Sequence, residues 1–411
     1  MIPKLDEYKK RWELYSENSI KPGLEAITEA LLKVGNPEKS SRIIHVAGTN
    51  GKGSTIAFME SVLRQHGYST GVFSSPAIID IHDQIRIDGK SITEVELNKS
   101  FMKMKEAGLS GMLTDFELLT VSAFITFQRL QPDYVLLETG LGGRLDSTNV
   151  ITPIVSVITS IALDHTSFLG TTLAEIAEHK AGIIKESIPV VLGPLPDEAL
   201  QVVCRIAKMN GSRIHIFGEQ FKIENGIEEL YIGIEKYKLT GRKMKGEHQG
   251  VDAAVAIETL LLAGIELTEN LVTKAISSTQ LPHRFQEIAP NIFLDGAHNP
   301  AAANALANTI QKEFPGEKVD FIVGMLRGKD IERILDILTP LASSFTFLTF
   351  SHPEAAIGVE LMKYCKHPIK SVTIAQNDTI ILYREKKTRT IVTGSLYLLA
   401  AIKFDFKKQK I

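Results

Sequence analysis

Apolar positions along the chain keep two rhythms. Short continuous runs alternate with longer stretches in which apolar residues recur at helical spacing, and this alternation predicts a doubly wound, mostly parallel sheet with helices on both faces. Ile43–Ala47 reads as a buried strand, preceded by a helix with Leu24, Ile27, Leu31 and Val34 on one face and ended by Gly35-Asn36-Pro37. Ile56, Met59, Val62 and Leu63 continue at helical spacing until Gly67. Further strands are expected over residues 69–73, 134–137, 154–159, 189–192 and 213–217, with a hairpin turning at Asp88-Gly89. Helices are expected over 94–107, opened by Thr93 and Glu96 as a capping box, over 118–130, apolar on nearly every side, and over 246–263. Thr172 and Glu175 open another that carries Lys180, and residues 221–239 look like a small antiparallel appendage. A polar connection bracketed by Pro282 and Pro290 gives the best boundary, dividing the chain into 1–285 and 286–411. The second part starts a new α/β unit with a strand at 292–295, an alanine-rich helix after Pro300, and strands at 319–323, 345–350, 371–374 and 390–392.

Composition narrows the function. At 411 residues, two domains are the natural expectation. With 46 basic and 48 acidic residues the net charge is −2, which leaves no broad basic field for nucleic acid or anionic lipid, so small-molecule partners are expected. Cys204 and Cys365 lie far apart and suit reduced thiols. The charged N-terminus has no apolar signal core, and no run reaches the roughly 18 apolar residues of a membrane span, so a cytoplasmic protein is expected. The basic cluster at 384–389 reads as a solvated turn, and the lysine-rich end as a frayed tail.

The chemistry gathers at strand ends. Between Ala47 and Ile56 lies Gly48-Thr49-Asn50-Gly51-Lys52-Gly53-Ser54-Thr55. Its glycines permit a tight turn whose N–H groups approach an anion, the next helix adds its positive end, and Lys52 adds a full charge. Gly53 stands where the strict phosphate-loop pattern has Ser or Thr. The bland alternative is a polar surface turn with a solvated lysine. Glu138, His165 and Ser75 follow three other strands and, beside a nucleotide, offer oxygen and imidazole ligands to magnesium. Lys180 reads either as a helix-end lysine serving the last carbonyls or as a functional amine. Asp295 and His298 flank a strand-to-helix turn that an Asx turn and a capped helix would equally explain. Arg284 could clamp a phosphate or pair with a surface acid.

Together these segments resemble the Mur ligase superfamily, specifically its folylpolyglutamate synthase and dihydrofolate synthase branch. The matching strings are KPGL, HVAGTNGKGS, SSP, TDFE, ETGLGGRLDSTNV, ITSIALDHTSFLG, KAGI, DGAHNP, GMLRGKD and TGSLY, in family order across nearly the whole chain. The resemblance implies a phosphate-loop α/β domain, a smaller Rossmann-like domain and an active site in the cleft between them. By similarity Thr49, Asn50, Gly51, Lys52, Gly53 and Ser54 bind ATP, together with Asp252, Arg284 and Asp295. Ser75, Glu138 and His165 would serve magnesium, with two ions expected. Lys180 matches a lysine carbamylated in the family, and Lys52, Lys180 and His298 are the residues assigned to the chemistry. Phe116, Glu117, Leu145, Asp146, Ser147 and Thr148 fall in segments that approach the pterin-containing substrate. Asp252 stands where the family usually has an adenine-contacting Asn, His283 replaces the Gly of a Pro-Gly-Arg turn, and His179 stands where Glu is common. Ala77 follows SSP in place of His, and Gly328 replaces an Asp.

The implied reaction is ATP-driven: the acceptor carboxylate becomes an acyl phosphate, the amine of L-glutamate attacks it, and an amide, ADP and phosphate result. The expected partners are ATP, L-glutamate and a folate or pterin acid, handled by a monomer. Two alternatives differ in outcome. A Mur-type ligase for another acid would release ADP only with that acid, and a degenerate ATP-binding regulatory homologue would bind ATP without turnover.

Overall fold

The apolar runs become the strands of an eight-stranded sheet. In chain order these are β1 Ile43–Ala47, β2 Thr70–Phe73, β3 Ile85–Ile87, β4 Lys90–Ser91, β5 Tyr134–Glu138, β6 Val155–Ile158, β7 Val190–Leu192 and β8 Ile214–Ile216. The spatial order is β8-β7-β6-β1-β5-β2-β3-β4, parallel from β8 to β2 and antiparallel in the hairpin at the edge. β1 lies at the centre, buried at every position. The connection after β1 leads to one side of the sheet, through helix α2 (Lys52–Gln65) to β2, and that after β6 leads to the other, to β7. Such a reversal opens a crevice at the carboxyl ends of adjacent strands, where ligands of doubly wound sheets bind.

A computed structural model describes residues 2–19, 21–77, 80–226, 228–374, 378–383 and 388–407. The chain forms two compact units, Met1–Arg242 with Gly250–Thr279, and Lys243–Gln249 with Gln280–Ile411. Gln280 to Phe285 thus groups with the second unit, as do the first residues of the helix Glu247–Leu262. The second unit holds a six-stranded sheet, order β12-β13-β17-β14-β15-β16, formed by Gln286–Ala289, Ile292–Leu294, Thr390–Thr393, Val319–Val323, Ala342–Thr349 and Lys370–Ile374. It is parallel except for the β12–β13 pair. The three-stranded antiparallel appendage of the first unit is β9 Lys222–Asn225, β10 Glu229–Ile232 and β11 Lys236–Lys238.

Four local expectations change. Helix α3 runs Asp115–Leu130, three residues earlier than its apolar pattern suggests, because Thr114 and Glu117 close a reciprocal capping box. Thr93 caps its helix by accepting the Glu96 N–H, whereas the Glu96 carboxylate turns to Lys99 and Arg129. A short N-terminal helix, α1 Leu5–Trp12, precedes everything the pattern predicts. The C-terminal segment Lys403–Lys407 is a strand paired with Thr379–Tyr383, not part of a frayed tail, while 408–411, and 384–387 of the turn expected at 384–389, lie outside the described residues. Among the described residues no helix is long and apolar enough to cross a membrane.

Candidate active site

The glycine loop after β1 is stitched to the segment that follows β6. Thr49 N–H donates to the Ser160 carbonyl at 2.8 Å and Asn50 N–H to Ser160 Oγ at 2.9 Å. Thr159 Oγ1 and Ser160 Oγ both donate to the Asn50 carbonyl, at 2.6 and 2.9 Å. Gly48 is required because a Cβ there would fall 1.9 Å from Thr159 Oγ1. The amides of Thr49 and Asn50 therefore hold the loop in place. The donors that remain are those opening α2, since the first N–H groups of a helix have no intrahelical acceptor and carry its positive end. They belong to Lys52, Gly53 and Ser54, behind Gly51, the left-handed N-cap. Asp252 approaches that cap, its Oδ1 2.5 Å from where a Gly51 Cβ would stand.

Two cations meet on this loop. Lys52 Nζ donates to the Gly48 carbonyl at 3.0 Å, reaches the Thr49 carbonyl at 3.4 Å and lies 3.8 Å from Glu138 Oε1. Lys180, near the end of α4 (Leu173–Ala181), is 4% exposed and also donates to the Gly48 carbonyl at 3.0 Å. Burial first, and then the Lys52 charge, push the Lys180 amine down to about 7, against the pull of Asp164 and Asp146. Glu138 ends β5, buried, and its Oε2 accepts the Ser75 N–H at 3.4 Å. Ser75 and Glu138 are thus brought together beside Lys52. His165 is half-exposed in a left-handed conformation, with Nε2 4.0 Å from Asp164 Oδ2.

Among the described residues no three His, Cys, Asp or Glu side chains form a metal cage. Magnesium needs none, being held commonly by one or two protein oxygens together with phosphate and water. The oxygen donors of Glu138 and Ser75 fit that habit.

The residues expected near an acceptor also converge. Phe116, in the first turn of α3, packs at 5.7 Å against the ring of Phe73 and against Gly140, where a Cβ would fall 2.4 Å from the Phe116 ring. Glu117 spends Oε2 on the Thr114 N–H and hydroxyl, both at 2.8 Å, so it serves as the cap of α3. Ser147 Oγ meets Thr120 Oγ1 of the same helix at 2.9 Å. Leu145 is 40% exposed at the loop surface. Asp146 is buried, which raises its pKa, and takes the Leu141 N–H at 2.7 Å and the Thr148 N–H and hydroxyl at 3.0 and 2.6 Å. Behind Thr148 stands His45.

In the second unit Arg284, Asp295 and His298 come together. Asp295 accepts the Phe285 and Ala297 N–H groups, each at 3.0 Å, and burial raises its pKa while the Arg284 charge opposes the rise. The Asx turn and the capped helix both exist: Asn299 Oδ1 accepts the Ala302 N–H at 2.9 Å to open Pro300–Glu313. Arg284 lies against Gly296, and His298 Nδ1 is 2.9 Å from the Gly296 carbonyl. His283 holds φ 62, the left-handed region that favours glycine.

Sequence reasoning missed Thr159, Ser160, Thr120 and His45. His45 carries a visible signal, a polar residue inside a continuous apolar strand. The others act through contacts between distant positions and carry none.

The Mur ligase middle domain family matches residues 46–272, and the family described as dihydrofolate synthetase, C-terminal domain, matches 279–404. The chain is 35% identical to the dihydrofolate synthase/folylpolyglutamate synthase of Bacillus subtilis, with 94% of this chain and 96% of the relative covered. It superposes with a TM-score of 0.85 at 30% identity, over 96% of each chain, on Escherichia coli FolC in complex with DHPP and ADP. A bifunctional folylpolyglutamate synthase/dihydrofolate synthase from Yersinia pestis, complexed with AMPPNP and Mn ion, gives 0.85 at 31% identity over 96% of each chain.

Proposed function

The chain belongs to the dihydrofolate synthase/folylpolyglutamate synthase family of Mur ligases, and from that premise we propose that it joins L-glutamate to a folate-type acid, dihydropteroate or a reduced folate, at the expense of ATP. The observation that carries the reading is the meeting of Lys52 and Lys180 on the Gly48 carbonyl, beside Glu138, at the mouth of a glycine loop.

A carboxylate resists attack by an amine, so the acceptor acid takes the γ-phosphoryl group of ATP first, forming an acyl phosphate and ADP. The N–H groups of Lys52, Gly53 and Ser54 and the positive end of α2 hold the phosphates. Lys52 exchanges the Gly48 and Thr49 carbonyls for phosphate oxygens and neutralises charge as the bond to the leaving ADP oxygen breaks. Ser75, Glu138 and His165 would hold the two expected magnesium ions, which would supply further charge neutralisation. The glutamate amine then attacks the acyl carbon, phosphate leaves, and the amine proton is released.

Lys180 fits carbamylation. With its amine pushed down to about 7, a neutral fraction exists at ordinary pH. Attack of that amine on CO2 forms an N–C bond and releases a proton, replacing the cation beside Lys52 by an anion. Repulsion over Gly48 becomes attraction, and a carboxylate is gained for the metals.

The test is direct. Purified protein with magnesium, ATP and L-glutamate should release ADP and form a product one glutamate heavier with dihydropteroate or tetrahydrofolate. Absence of both ADP and product with either acid overturns the reading.

A further inference from the structure

Strand β1 reads Ile-Ile-His-Val-Ala, and its one polar side chain, His45, is fully buried in the middle of the sheet. Its Nε2 lies 2.8 Å from Thr148 Oγ1. The neighbour fixes the direction of that bond. Thr148 gives its only hydroxyl proton to Asp146 Oδ1 at 2.6 Å, so toward His45 it can only accept, and the imidazole proton must sit on Nε2. Burial, with the Lys185 charge nearby, holds the ring down at about 3 and therefore neutral. Among the described residues Nδ1 has no hydrogen-bond partner, and Thr148 is the ring's one hydrogen-bond contact there. At the far end Asp146 grips the Leu141 N–H at 2.7 Å and the Thr148 N–H at 3.0 Å, closing the loop on itself. The wire from His45 through Thr148 to Asp146 ties both ends of that loop to the strand that runs directly into Gly48.

We propose that His45 is a positioning residue for the acceptor, holding Leu145 to Thr148 at a fixed place relative to the phosphate loop. The inference rests on the functional reading above. A histidine that merely fills the core would, when replaced, weaken ATP and acceptor binding alike. A positioning histidine acts on the acceptor alone.

His45→Leu keeps the bulk and removes the donor, whereas His45→Gln places an amide N–H near the position of Nε2. The expected result is a rise of about ten- to hundredfold in KM for the acceptor in H45L, the cost of one hydrogen bond in a charged network, with calorimetric ATP affinity unchanged and H45Q restoring most of the loss. Thr148→Val should reproduce the effect, and it carries the test if H45L does not fold. Normal acceptor KM in these variants, equal loss of ATP and acceptor affinity, or no rescue by glutamine would overturn the proposal. Nitrogen NMR of the imidazole reads the wire without turnover and should show a neutral, Nε2-protonated ring between about pH 5 and 8. A wild-type protein with no turnover refutes the functional reading. Normal turnover with a cationic or Nδ1-protonated His45 refutes this inference alone.

Discussion

Lys180 and Lys52 share one carbonyl oxygen, and the buried member of the pair bears the consequence. Its amine titrates near 7 in the fold and near 10.5 in the unfolded chain. Below about 7 both states are protonated and the fold carries the full cost of a buried cation. Above about 10.5 both are neutral and the cost vanishes. Between them the unfolded chain binds more protons, so this residue makes stability rise with pH. Lys180→Met is expected to stabilise the protein relative to wild type by a few kcal/mol at pH 6, with the difference shrinking toward pH 10. Denaturation at a series of pH values measures it, and a difference that grows with pH would sink the argument. Bicarbonate should narrow the gap in the wild type by converting the amine to carbamate, and leave the methionine variant untouched.

At the scale of elements, caps decide where side chains stand. The box of Thr114 and Glu117 starts α3 early enough to set Phe116 in its first turn, against Gly140. Thr114→Ala removes the hydroxyl that pairs with both the Glu117 N–H and its carboxylate. A loss of about 1 to 2 kcal/mol is expected, read by urea denaturation through the fluorescence of Trp12, and no change in midpoint would show the box to be idle. The central strands were legible because burial on both faces writes an unbroken apolar run, as in Tyr134–Glu138. Helix α1 was not. Its apolar stripe is short, Leu5, Tyr8 and Trp12 among the charges of Asp6, Glu7, Lys9, Lys10 and Arg11, and it buries only Leu5 and Tyr8. Its partners are far along the chain: Lys4 donates to Asp80 at 2.6 Å and Tyr8 meets His82 at 2.8 Å. The same distance hid the clasp of Ser160 on the glycine loop, whereas the loop itself was plain in its glycines, its lysine and the strand and helix around it.

Across the whole molecule each unit has its own apolar cores. Leu118, Phe124 and Leu137 share one in the first, and Phe321, Phe345 and Ile391 share one in the second. Folding need not be a single transition, and one probe need not report both units. The sequence holds a single tryptophan, Trp12, whose Nε1 donates to Asn98 Oδ1 at 2.8 Å within the first unit. Its fluorescence therefore follows the unit that contains Gly48 to Ser54, Lys180 and Glu138. A ligand bound only by the folded state stabilises it by about 2.7 kcal/mol at a hundredfold excess over Kd. For a unit of this size that is of the order of 5 °C or somewhat more in the midpoint. ATP with magnesium should accordingly raise the tryptophan transition by that amount in the wild type and by little in Lys52→Met, whose lost ammonium is the charge that meets the phosphates. An equal shift in both proteins would mean that the nucleotide is held elsewhere and that the glycine loop is a structural turn.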